Sequence, residues 1–168
     1  MITPTQSNVM TALRSFILTQ FAGEVVQGVG NGVPMPQGAF IAITDISSIA
    51  LSTNITTLIN GNNSIARPSQ FTVQVDCYGA ASCDTATALC VLLRSQYGCD
   101  QFKTSGFEIQ PLYAGDARKL PLVNGEQQYE DRWTFEAVLQ YIPTVTAVQD
   151  SATALKVGLL EVDRTYPA

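Results

Sequence analysis

Hydrophobic and polar positions recur along this chain at two periods, and the switches between them mark out its elements. Val9, Leu13, Phe16, Ile17 and Phe21 fall at helical spacing, which predicts an amphipathic helix over residues 5–21 that starts at Thr3-Pro4 and stops at Gly23. Val25 and Val26 then begin a short strand ahead of a glycine- and proline-rich loop over residues 28–38. Phe40 to Thr44 alternates, and a run from Ser47 to Leu58 is rich in Ile, Thr and Ser. These two read as strands joined by a tight connection or a bulge near Asp45, with a loop over residues 59–69 after them. In Gln70 to Tyr78 the alternation is clean: Phe71, Val73, Val75 and Cys77 face one way, Thr72, Gln74, Asp76 and Tyr78 the other, until Gly79 ends the strand. A second helix, capped between Ser82 and Asp84, buries Ala86, Leu89, Cys90 and Leu93 and stops near Gly98. Phe107 to Tyr113 alternates again. The segment 132–142 repeats the pattern, with Trp133, Phe135, Ala137, Leu139 and Tyr141 opposed to Arg132, Thr134, Glu136, Val138 and Gln140. The end of the chain reads either as a helix from a Ser151 cap or, as we favour, as a strand from about Lys156 to Arg164.

The order helix, strands, helix, strands lacks β-α-β alternation. It predicts an α+β fold, a largely antiparallel β-sheet flanked by two α-helices with long loops, in a single domain over residues 1–168.

Composition changes this picture in two ways. Charged residues make up 14% of the chain, well below the roughly 25% of ordinary soluble domains, so Ser, Thr, Asn and Gln must cover much of the surface. Neutral polar groups cost less to desolvate than charged ones, which suits a subunit covered by neighbours in an assembly. The net charge of −5, with no basic run, argues against a nucleic-acid binder. The start, MITPTQSNVM, has no basic region of a signal peptide, and no apolar stretch is long enough to span a bilayer, so the expectation is a chain that stays in the cytoplasm where it is made, away from membranes. The four cysteines, Cys77, Cys83, Cys90 and Cys99, contain no C-x2-C pair and there is no histidine, so buried free thiols are the favoured reading over a zinc site or a Cys77 to Cys99 bridge.

Candidate chemistry is sparse. Gly28, Gly30 and Gly32 precede Pro34 and Pro36 rather than a helix, which is a poor phosphate cradle. The absence of histidine removes the commonest general base, and Lys103, Lys119 and Lys156 sit in no nucleophile motif. No cofactor site is expected. Charge does concentrate in one place. Asp116, Arg118, Lys119, Glu126, Glu130, Asp131 and Arg132 surround Pro121 and an Asn124-Gly125 turn signal, so this loop is expected to be ordered by ion pairs and to serve as a contact surface. Adjacent carboxylates such as Glu130 and Asp131 point to opposite faces once a strand begins, which favours pairing with Arg118, Lys119 or Arg132 over acid-base catalysis. Tyr113, Tyr129, Trp133 and Tyr141 read as core or interface anchors.

The stretch LYAGDARKLPLVNGEQQYEDRWTFEAVLQY, with LLEVDRTYP downstream, resembles the neck or tail terminator family of tailed bacteriophages. Asp116, Arg118, Pro121, Asn124-Gly125-Glu126, Tyr129 to Trp133, Val162-Asp163 and Tyr166-Pro167 carry the likeness most clearly. The resemblance implies a non-enzymatic virion protein, assembled in the host cytoplasm, that forms a six-fold ring at the head-proximal end of the tail tube. Its implied partners are copies of itself, the tail tube protein, the head-tail connector or adaptor and the sheath, with DNA only passing through the lumen. Tyr113, Asp116, Arg118, Lys119, Asn124, Glu126, Tyr129, Glu130, Asp131 and Arg132 are the expected subunit or partner interface. The alternatives are another virion subunit, of the tail tube or of head completion, and a small acid-base hydrolase in which Asp116, Glu126 or Asp131 would converge in a pocket.

Overall fold

The computed structural model describes residues 2–28, 35–123, 129–149 and 158. After a two-residue strand β1 (Ile2–Thr3), helix α1 (Gln6–Leu18) begins where Thr5 and Asn8 form a reciprocal capping box that satisfies two otherwise orphaned backbone donors. It buries Val9, Met10, Ala12, Leu13, Phe16 and Ile17. The helix ends at Leu18, short of the expected residue 21, and Phe21 packs against the core from beyond its end. Strands β2 (Glu24–Gln27), β3 (Phe40–Ala50), β6 (Ser69–Tyr78), β7 (Ile109–Ala114), β8 (Arg118–Lys119) and β11 (Arg132–Tyr141) form a six-stranded sheet in the order β2-β3-β6-β11-β7, with β8 following β7 along the same edge of β11. Every pairing is antiparallel except β2 with β3. The alternation read from the sequence decides which face is covered. Ile41, Ile43, Phe71, Val73, Val75, Cys77, Phe135, Ala137 and Leu139 meet the helices in one core, while Phe40, Ala42 and Tyr78 form a small cluster on the other face.

Among the described residues three helices, not two, cover the sheet. Helix α2 (Ser82–Leu93) stops early because the chain turns at Arg94 and Ser95 caps a new helix, α3 (Gln96–Lys103), whose Phe102 packs 5.4 Å from Phe16. Gly98 therefore lies inside α3 rather than at a helix stop, and a Cβ there would sit 2.6 Å from the Leu92 carbonyl oxygen.

A smaller sheet joins β1, β4 (Ile55–Ile59), β5 (Asn62–Ala66) and β12 (Thr144–Val148) in the order β1-β12-β5-β4. The expected loop over 59–69 is thus largely the hairpin β4-β5, turning at Asn60 (φ 51°) and Gly61 (φ 76°), the two positive-φ positions that a tight hairpin requires. The expected run Ser47 to Leu58 is also divided. Its first part belongs to β3, which passes through a register shift at Asp45/Ser47, and β4 starts separately at Ile55. Apart from residue 158, the strand expected over 156–164 lies outside the described residues.

The strand directions give the molecule two poles. β5 leads into β6 and β11 leads into β12, so the smaller sheet sits where Ser69 pairs with Tyr141. At the other end of the same two strands Tyr78 pairs with Arg132, beside β8, β9 (Leu122–Val123) and its antiparallel partner β10 (Tyr129–Glu130). Ten-residue strands separate these ends by about 30 Å.

Candidate functional site

The described parts of the mixed-charge segment form one rim, and backbone bonds hold them there. Gly115 N–H donates to the Glu136 carbonyl, Leu120 N–H to that of Arg132, and Gly79 N–H to that of Asp131. What reads as a loop in the sequence is therefore stitched to the edge of β11 and to the end of β6. The charges follow that stitching. Lys119 Nζ lies 2.6 Å from Asp131 Oδ1, Arg118 reaches Glu136 at 3.6 Å, and Arg94 from the end of α2 reaches Asp116 at 3.4 Å. Arg94 Nε also donates to the Ala114 carbonyl at 2.7 Å, and its guanidinium lies 4.3 Å from the centre of the Tyr113 ring. These are largely exposed pairs, which fix position more than they stabilise the fold.

Arg132 differs from the rest. Its Nε and a terminal nitrogen donate to Asp76 Oδ1 at 3.1 and 2.9 Å, while Gln74 donates to Asp76 Oδ2 at 2.8 Å. Asp76 is 4% exposed, and Phe40 and Tyr78 stack beside it with ring centroids 4.3 Å apart. This group lines a concavity of about 370 Å³ together with Val26, Gln27, Met35 and Pro36. Both oxygens of the carboxylate are already engaged, so the arrangement is built to hold β6 and β11 together at the charged pole.

Of the expected interface residues, the structure gathers Tyr113, Asp116, Arg118, Lys119, Asp131 and Arg132 on this rim, and places Tyr129 and Glu130 on β10. Asn124 and Glu126 lie outside the described residues. Asp116 and Asp131 do not share a pocket: one lines a depression with Arg118 and Glu136, the other a depression with Gly79 and Glu130. Three partners were missed. Arg94 and Asp76 carry no local signal, whereas Glu136 was visible as the charged residue on the polar side of β11.

Burial raises the thiols of Cys77 and Cys90, to about 12 and about 11, with Asp76 adding to the first and Arg94 opposing the second. Both are protonated at neutral pH and behave as small apolar side chains; all four cysteines are free. Among the described residues no cluster of three or more His, Cys, Asp or Glu side chains is disposed to hold a metal ion, and no helix is long and apolar enough to cross a membrane.

The pole at the β4-β5 hairpin was not singled out from the sequence. Ile46, Ile49, Leu51, Ile55, Leu58, Ile59 and Val148 are all exposed there. Among curated proteins none matches the chain. A family model does: the one described as phage neck terminator protein matches residues 7–163.

Proposed function

The chain belongs to the phage neck terminator family, and on that premise we propose that it forms a ring at the head-proximal end of the tail tube, ends tube polymerisation and joins the tail to the head connector. The match over residues 7–163 carries this reading. A subunit in such a position meets different neighbours on different surfaces, and the two chemically unlike poles of this fold support that requirement. The charged rim, with Tyr113, Asp116, Arg118, Lys119, Tyr129, Glu130, Asp131 and Arg132, together with Asn124 and Glu126 of the same stretch of sequence, is the proposed contact with the tube, the connector or the sheath. Opposite charges held at fixed spacing set register between unlike partners. DNA passes through the lumen of the ring, and no catalytic step is assigned to the protein.

The test is the mass of the purified protein by light scattering over a concentration series, alone and with sheared tail tubes, followed by electron microscopy of the tube ends. Closed rings in solution or capping one tube end are the expected result. Open-ended tubes of this protein would replace the reading with a tube subunit, and a monomer that leaves tube ends bare would overturn it.

A further inference from the structure

Apart from the two-residue strands β8, β9 and β10 on the charged rim, four strands have an outer edge that no other strand covers among the described residues: β2 and β7 in the larger sheet, β1 and β4 in the smaller. Such edges carry unpaired backbone donors and acceptors and invite another strand. They are not equivalent. β1 is two residues long, and on β2 the Val25 carbonyl accepts from Arg14 Nε at 3.1 Å next to the charged Glu24. β4 has no such protection. All five of its residues are exposed, with Leu58 63% exposed, and it contains neither the lysine nor the proline that usually blunts an edge. Residues 46–66, which span the end of β3 and the whole hairpin, contain no Asp, Glu, Lys or Arg, although Asp45 and Arg67 bracket them. β7, IQPLYA, has no charged residue of its own, but Arg94 donates to the Ala114 carbonyl at 2.7 Å and lies over the Tyr113 ring, so its open part is the first half, Ile109 to Leu112, where Leu112 is exposed, Pro111 withdraws one donor and Ile109 pairs with Tyr141 toward the hairpin pole.

We propose that β4 of one copy of this chain pairs with β7 of the next, so that the hairpin pole makes the subunit contact of the ring; this rests on the ring reading above. The occupant is a second copy for two reasons. A free strand edge is completed by another strand edge, and this chain supplies one with matching character. Each copy carries a net charge of −5, a repulsion that any contact between copies must outweigh, and pairing β4 with the first half of β7 adds no desolvation of a charged residue of either strand to that cost. Because the two edges are different surfaces, the contact is head-to-tail, the kind that a ring requires, whereas β4 against β4 would stop at a dimer.

The test uses two variants of the full chain, Leu58→Asp on β4 and Leu112→Asp on β7, both at exposed positions, with a cooperative melt confirming that each folds. Wherever wild type forms rings, in solution or at tube ends, each variant alone is expected to remain monomeric. An equimolar mixture is expected to give a dimer and nothing larger, since one intact β4 meets one intact β7 and both other edges are blocked. Rings formed by either folded variant alone, or a mixture that stays monomeric, would overturn the β4-β7 contact while leaving the ring reading intact. Failure of wild type to form a ring in either setting would instead remove the premise.

Discussion

Arg132 shows how one residue can be legible in type and illegible in role. Its place at the start of an alternating strand, among acidic neighbours, marks it as half of an ion pair, and the sequence offers Glu130 and Asp131 as the near candidates. The partner is Asp76, fifty-six positions away, brought opposite by the register that pairs Thr134 with Asp76 and Arg132 with Tyr78. Removing one partner of a buried pair leaves an uncompensated charge, so Arg132→Ala is expected to destabilise the fold by about 3–5 kcal/mol, read as a lower denaturant midpoint. A double variant, Arg132→Met with Asp76→Leu, should recover most of that loss, because the penalty lies in the unpaired carboxylate. The thiols give a second prediction. Their folded pKa values, about 12 for Cys77 and about 11 for Cys90, lie above the ordinary 9.0. A raised folded value means that the stabilisation is complete below pH 9 and is lost as the pH climbs from 9 through the folded values, where the unfolded chain ionises first. The melting temperature should therefore fall above pH 9, and a Cys77→Ala, Cys90→Ala variant should show a shallower fall over the same range.

At the scale of elements, what was legible followed from strict periodicity. β6 and β11 were clear because both bury one face against the helices, and their two-residue period has no competing helical reading. The hairpin β4-β5 was not, because neither of its strands is buried and polar residues fill β5; exposure removes the contrast on which alternation depends. Its signal was Asn60-Gly61, a turn pair whose two positive φ values commit the flanking residues to pair. Helix α3 was hidden for a different reason: at eight residues it offers too few turns for a periodic pattern, and it exists because Ser95 caps it and Phe102 anchors it. The turn yields an element-level prediction. A β-branched residue in the left-handed region costs about 1–2 kcal/mol, so Gly61→Val should loosen the hairpin locally. Hydrogen exchange should quicken across residues 55–66 while the amides of β6 and β11 keep their protection, and the protein should fold yet form rings less readily.

For the whole molecule, the decisive feature is the segregation of charge along β6 and β11. A rim of exposed ion pairs lies at one end and a stretch without a single charged residue at the other, so the two poles must respond oppositely to salt. Attraction between complementary charged surfaces is screened once the ionic strength brings the Debye length to about 3 Å, near 1 M salt. Contact between uncharged strand edges has no such attraction to lose, while the mutual repulsion of copies carrying −5 each is screened by the same salt. Raising sodium chloride from about 0.1 to about 1 M should therefore preserve or strengthen association of the protein with itself and weaken its capture by tube or connector through the charged rim. Light scattering of the protein alone and sedimentation with tail tubes, over one salt series, measure the two responses separately. Self-association that dissolves in salt would move the subunit contact to the charged pole, and partner binding indifferent to salt would move the partner to the hairpin.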